Sequence, residues 1–107
     1  MIDSIRYRWE FAQLRSDGQY RRSGPIGLRW IRDGELPAPR VAFAIGKGVG
    51  NAVQRNRIRR RLRELLRSFD QHEQIVPGRY LFIVSQQATT SSFDDLRTHL
   101  SRLIGSE

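Results

Sequence analysis

The chain contains no cysteine. That excludes disulfides and thiolate-bound zinc, and leaves His72 and His99 as the only two nitrogen-ligand side chains. They stand far apart in sequence, so no protein-built metal site is expected. Long apolar runs are also missing. No stretch approaches the roughly 20 residues of a membrane helix, and the N-terminus lacks the apolar region of a signal peptide. A soluble, cytoplasmic protein with no membrane partner is the expectation. Acidic residues are scarce: 11 against 19 basic, a net charge of +8 and a pI near 11.3. Such a balance is unusual for an enzyme of small metabolites and points to a polyanionic partner. Lysine is almost absent, because Lys47 is the single one among those 19 and every other is arginine. Arginine suits bidentate phosphate contact and stacking on bases, although genome base composition produces the same bias.

What is present fits one globular domain over residues 1–107, with 38% hydrophobic and 28% charged residues. Residues 4–16 read as a short helix with Ile5, Trp9, Ala12 and Phe11 as its apolar positions, closed by Asp17-Gly18. Residues 25–32 alternate as a half-buried strand through Ile26, Leu28 and Trp30. Asp33-Gly34 begins a turn or hairpin loop that runs to Pro39. Residues 40–46 alternate again, with Val41, Phe43 and Ile45 on one side. Ala42 and Ala44 on the other leave room for a packed helix. Asn51 is a good N-cap, and Ile58, Leu62, Leu65, Leu66 and Phe69 then recur at helical spacing. Pro77-Gly78 marks a turn before the strongest strand, residues 79–85. Ser92 with Asp95 resembles a capping box, and Phe93, Leu96, Leu100, Leu103 and Ile104 form a last amphipathic helix. The order is helix, two or three strands, helix, strand, helix, an α+β sandwich of one sheet with packed helices.

The densest signal lies in residues 47–64. Gly46, Gly48 and Gly50 open a helix whose N-terminal N–H groups and dipole favour an anion, with Lys47 adding charge. The Gly-Lys-Ser/Thr ending of a nucleotide loop is missing, and a flexible connector is an equally good reading of the glycines. The helix itself is more specific. Between Arg55 and Arg67 there are seven arginines and one acid, Glu64. An ordinary solvated face would carry acidic partners at i,i+4, and here only Glu64 can pair with Arg60 or Arg61. Asn56, Arg60, Arg63 and Arg67 fall opposite the apolar stripe, with Arg55, Arg57, Arg59 and Arg61 flanking it. Nucleic-acid contact outweighs the bland reading. Tyr7, Trp9, Phe11 and Trp30 could stack on bases, but core packing is the commoner role of each, and Phe11, off the helix's apolar face, is the one that suits a groove. His72 with Glu73 and His99 with Asp95 lack a nucleophile constellation and read as surface decoration.

Taken together, residues 40–64 resemble the protein subunit of bacterial ribonuclease P. The match rests on Gly50-Asn51-Ala52-Val53, then Arg55-Asn56-Arg57-Ile58-Arg59-Arg60, then Arg63-Glu64. Ile5-Arg6, Glu10-Phe11, Gly18 and the Pro77-Gly78 turn fit the family's order. The resemblance implies an α-β sandwich with a central sheet and a left-handed β-α-β crossover through the arginine helix. It implies a partner role in maturation of the transfer RNA 5′ end. The RNA subunit would perform the hydrolysis with Mg2+ held mainly by RNA, and the protein would bind that RNA and the 5′ leader of precursor tRNA. By position, Lys47, Asn51, Arg55, Asn56, Arg57, Arg59, Arg60 and Arg63, with Arg67 beyond, fall to RNA contact. Asn51 and Asn56 are equally suited to fixing the helix start. Phe11 matches an aromatic of the leader cleft. Arg15 and Arg29 stand where the family often has aromatics, Gly48 where it has a second lysine, and Ser85-Gln86-Gln87 where it has a basic–proline pair. A cleft of this kind relies on arginine stacking and charge.

Two other classes compete. A ribosomal or other RNA-binding module without a role in tRNA processing would use the same helix. A DNA reader would show a dimer seam or helix-turn-helix pair, and no DNA partner is expected. A self-sufficient nuclease would need His72 or Glu73.

Overall fold

A computed structural model describes residues 1–105. Five strands form one mixed sheet in the order β1-β4-β5-β3-β2. They are β1 (Asp3–Ser4), β2 (Gln19–Ser23), β3 (Ile26–Arg32), β4 (Arg40–Ala44) and β5 (Gly78–Val84). The helices are α1 (Arg8–Asp17), α2 (Ala52–Gln71) and α3 (Phe93–Gly105), with short 3-10 turns at Lys47–Val49 and Gln86–Thr90. β1 and β5 run parallel to β4, whereas β3 is antiparallel to both β5 and β2. The arginine helix therefore links two adjacent parallel strands, β4 and β5. Among the described residues no helix is long and apolar enough to cross a membrane.

The expected α+β class holds, and several local expectations need correction. The chain does not enter a helix at residue 4. Asp3 and Ser4 pair with Arg40 and Val41, and Ile5 N–H donates to Val41 O at 2.9 Å, so the N-terminus is the edge strand. The loop begun at Asp33-Gly34 makes a turn, with Leu36 N–H bonded to Asp33 O, but no hairpin. β4 leaves β3 to pair with β1 and β5. The real hairpin joins β2 and β3 at Gly24-Pro25. There Gly24 has φ +56°, and a Cβ would strike the His99 ring at 2.4 Å. That ring belongs to α3, and its Nδ1 lies 2.8 Å from Ser23 Oγ. His99 thus ties α3 to the hairpin rather than pairing with Asp95. His72 Nδ1 contacts Ser68 O at 2.8 Å within its own helix.

The two sheet faces differ. Strand register places Ile26, Leu28, Val41, Phe43, Tyr80, Phe82 and Val84 on one face. There they meet Ile58, Leu62, Leu65 and Leu66 of α2 and Leu96, Leu100 and Leu103 of α3 in one core. Burying each such side chain is worth about 1.5–3 kcal/mol. α2 and α3 therefore lie on the side of the large β4 residues, not on the Ala42–Ala44 side. Bulky apolar groups gain more from a covering helix than alanines do.

The other face carries Arg40, Arg79 and Ile31 in one row across β4, β5 and β3. The next row is Ala42, Leu81, Arg29 and Tyr20, and the last is Ala44, Ile83, Gly27 and Arg22. α1 packs against β3 and β5 on this face, with Leu14 and Glu10 fully buried. Trp9 and Ala12, expected in the apolar stripe, are exposed instead. The helix is held down by a charge network in place of a long apolar stripe.

Candidate nucleic-acid interface

The start of α2 is built by reciprocal capping. Asn51 Oδ1 accepts the Gln54 N–H at 2.8 Å, and Gln54 Oε1 accepts the Asn51 N–H at 2.9 Å. The helix entry thus fills part of its own anion-binding capacity, contrary to the picture of free N–H groups. Lys47 and Gly48 remain exposed on the preceding 3-10 turn. At the far end α2 closes with Gln74 N–H on Phe69 O and Glu73 N–H on Asp70 O, Glu73 taking φ 55°.

Between these ends the apolar stripe faces the core and turns the arginines outward. Asn56, Arg59, Arg60, Arg63, Glu64 and Arg67 line one shallow depression along the outer ridge. Arg57, Arg60, Arg63 and Arg67 are exposed, whereas Arg55, Arg59 and Arg61 lie half-buried on the flanks. Among the described residues, no carboxylate forms an ion pair with any arginine of α2, Glu64 included. Asn56 Oδ1 accepts from Arg59 Nη1 at 2.9 Å, which orients that guanidinium. The Arg63 guanidinium lies 5.9 Å from the Phe43 ring centroid, at the border between helix and sheet. The ridge is a row of cations without acidic partners among the described residues, an arrangement that phosphates satisfy.

The second part of the site lies across α1 and the uncovered sheet face. Glu10, 0% exposed, is its anchor. Its Oε1 accepts from Arg40 Nη2 at 3.0 Å and from the N–H groups of Arg6 and Tyr7 at 3.2 and 3.1 Å. Its Oε2 accepts from Arg79 Nε at 2.8 Å, and Arg79 Nη1 reaches Asp33 at 3.2 Å. Burial on its own would push the Glu10 carboxyl up, but the Arg79 bond, the two backbone donors and the Arg40 charge together hold it below its ordinary 4.5. Trp9 lies on the Arg79 guanidinium, 4.8 Å from its ring centroid. Phe11 and Arg15, one turn apart, occupy the opposite flank of α1, Phe11 half-buried and Arg15 exposed. Arg29 sits between Leu81 and Tyr20 on the open face.

Thus the arginines predicted for RNA contact share one helix, while Phe11, Arg15 and Arg29 belong to the α1 and open-face region. Sequence reasoning missed the Glu10–Arg40–Arg79 network and Tyr20. The one available signal for Glu10 was an acid three residues after the N-cap position, Tyr7. Tyr20 could be found only through β2 register. Among the described residues, no three His, Asp or Glu side chains converge as a metal site.

Comparison with known proteins places the chain in a family. The family model described as Ribonuclease P matches residues 2–106. A ribonuclease P protein component from Brucella suis is 38% identical over 109 residues, covering 94% of this chain and 76% of that protein. One from Acidothermus cellulolyticus is 37% identical over 93 residues, covering 79% and 75%. The solved ribonuclease P protein of Thermotoga maritima superposes with a TM-score of 0.83 at 18% identity, over 98% of this chain and 97% of that one. The Staphylococcus aureus protein gives 0.79 at 23% identity, over 92% and 89%. These two structural likenesses speak to the fold.

Proposed function

The chain belongs to the ribonuclease P protein family, and from that premise we propose how its surfaces divide the work on precursor tRNA. Membership gives it a role in ribonuclease P and a partnership with the ribonuclease P RNA. In the division proposed, the ridge of α2 binds the RNA subunit through phosphates. Arg57, Arg59, Arg60, Arg63 and Arg67 carry the contacts, with Arg55 and Lys47 at the near end. Asn51 and Asn56 order the helix start and Arg59. The observation that carries this reading is a seven-arginine helix that no carboxylate of the described residues neutralises.

The uncovered sheet face beside Phe11, Arg15 and Arg29 takes the single-stranded 5′ leader. Support comes from the alternating register, which leaves Ala42 and Ala44 low and Arg29 upright, with α1 as one wall. The protein is the non-catalytic subunit in this reading, and the hydrolysis belongs to the RNA. In this reading the reaction's magnesium is held mainly by RNA.

The test is cleavage of precursor tRNA by the host's ribonuclease P RNA at low magnesium, with and without the protein. Cleavage only in the presence of both, and none by protein alone, is the expected outcome. Tight RNA binding without any effect on cleavage would instead make this a basic RNA-binding module with another task.

A further inference from the structure

The uncovered face carries a tyrosine that the leader reading does not use. Tyr20 stands on the edge strand β2, directly opposite Arg29 on β3. The residue is 49% exposed, one of few large hydrophobic side chains so open to solvent. It does not stand free. The phenol leans diagonally over Gly27, where a Cβ would lie 2.9 Å from Tyr20 Oη and 3.2 Å from Cε1. A glycine at 27 is therefore what lets the ring lie along the sheet.

The Arg29 guanidinium sits 5.2 Å from the Tyr20 ring centroid. Three other arginine–aromatic pairs in the molecule are closed by an acid, whereas Arg63 beside Phe43 belongs to the α2 ridge. Arg79 beside Trp9 and Arg40 beside Tyr7 are both bound to Glu10, and Arg97 beside Phe93 is bound to Asp94. Among the described residues, Arg29 has no such carboxylate. An exposed ring with an adjacent, uncompensated guanidinium matches a ligand that is planar and anionic at once, as a nucleotide is.

We propose that Tyr20 and Arg29, seated by Gly27, form a base-stacking subsite that receives an unpaired base of single-stranded RNA. This rests on the leader reading and extends it across the sheet to the edge strand. Tyr20 lies two strands beyond Leu81, about 10 Å at the usual strand spacing, so the subsite serves a different nucleotide from one held beside Phe11. Tyr20 supplies the π-face, and Arg29 supplies both a second planar surface and charge for the adjoining phosphate. The aromatic surface is thereby furnished by β2, although β3 carries arginine.

The experiment uses holoenzyme reconstituted with the ribonuclease P RNA. Precursor tRNAs carry 2-aminopurine at successive leader positions, and mature tRNA is the control. Tyr20→Ala and Tyr20→Leu should weaken precursor binding by about 5–20-fold, leave mature tRNA binding within twofold, and abolish fluorescence quenching at one leader position. Tyr20→Phe should retain both affinity and quenching. Gly27→Ala, which keeps the tyrosine but displaces its ring, should lose most of the quenching. Unchanged precursor affinity and quenching in Tyr20→Leu, with the wild type still preferring precursor over mature tRNA, would overturn the subsite alone. A wild-type holoenzyme that binds precursor and mature tRNA equally would overturn the leader reading, and the subsite with it.

Discussion

Two groups of arginines in this molecule have the same chemistry and opposite circumstances. Arg40 and Arg79 converge on the buried Glu10 and hold α1 to the sheet. The arginines of α2 project along an outer ridge and meet no acid among the described residues. A guanidinium taken out of water needs a carboxylate and well-placed hydrogen bonds, or it destabilises the fold. One left in water needs no internal partner, and costs only the repulsion of its neighbours. Internal pairing thus separates arginines that build the structure from those that, in the proposed division of surfaces, meet an external polyanion. The count of basic residues alone cannot make that separation.

The sharpest break in this comparison is at Glu10. Glu10→Ala should cost about 3–5 kcal/mol in urea unfolding, because it strands Arg79 in the interior. Glu10→Gln should recover part of the loss by keeping hydrogen bonds without charge. The same carboxylate sets an acid limit. Its folded pKa is depressed, so its contribution to stability is fully present above the ordinary 4.5 and is lost as pH falls through the lower folded value. Unfolding free energy measured between pH 7 and pH 3 should decline through that acid range, and the decline should be shallower in Glu10→Gln.

The ridge should respond in the opposite manner. Arg59→Ala combined with Arg60→Ala should change stability by less than about 1 kcal/mol. It should nevertheless weaken binding to the ribonuclease P RNA and flatten the log–log salt dependence by about 1.4–1.8, as two lost phosphate contacts require. Binding by the unaltered protein should show a slope near −4 to −6, for roughly five to seven contacts. A salt-independent affinity would dissolve the distinction between the two arginine groups. The smallest effect belongs to the residue that bridges structure and site. Asn51→Ala should cost about 1 kcal/mol by removing the cap, with RNA affinity falling only as far as the first turn of α2 frays.

Much of this was legible in the sequence for a physical reason. α2 and α3 have long 3.6-residue periodicity and side-chain caps, so Asn51, Ser92 and the leucine stripes announce them. Ser92 Oγ accepts the Asp95 N–H at 3.0 Å as the pattern suggested. The arginine ridge follows directly from that stripe. What stayed hidden depends on partners distant in sequence. β1 is only two residues long and exists because β4 is beside it. α1 carries few apolar groups, and its buried face includes a glutamate whose two arginines arrive 30 and 69 residues later. Glu10 therefore reads locally as an ordinary first-turn acid. Tyr20 gains meaning only from the register that sets it against Arg29 and above Gly27.

The strand that joins the sheet also sets the order in which the molecule can become itself. β5 lies between β4 and β3, yet among the five strands of the sheet it is made last. Until it emerges, the β2–β3 hairpin and the β1–β4 pair share no partner, and the leucines of α2 lack Tyr80, Phe82 and Val84 to cover. Non-local closure of this kind is slow. During that interval a nascent chain already displays its full run of arginines. An RNA that holds α2 in helical form favours the folded state by mass action. Assembly with the partner and completion of the fold are then two views of one equilibrium.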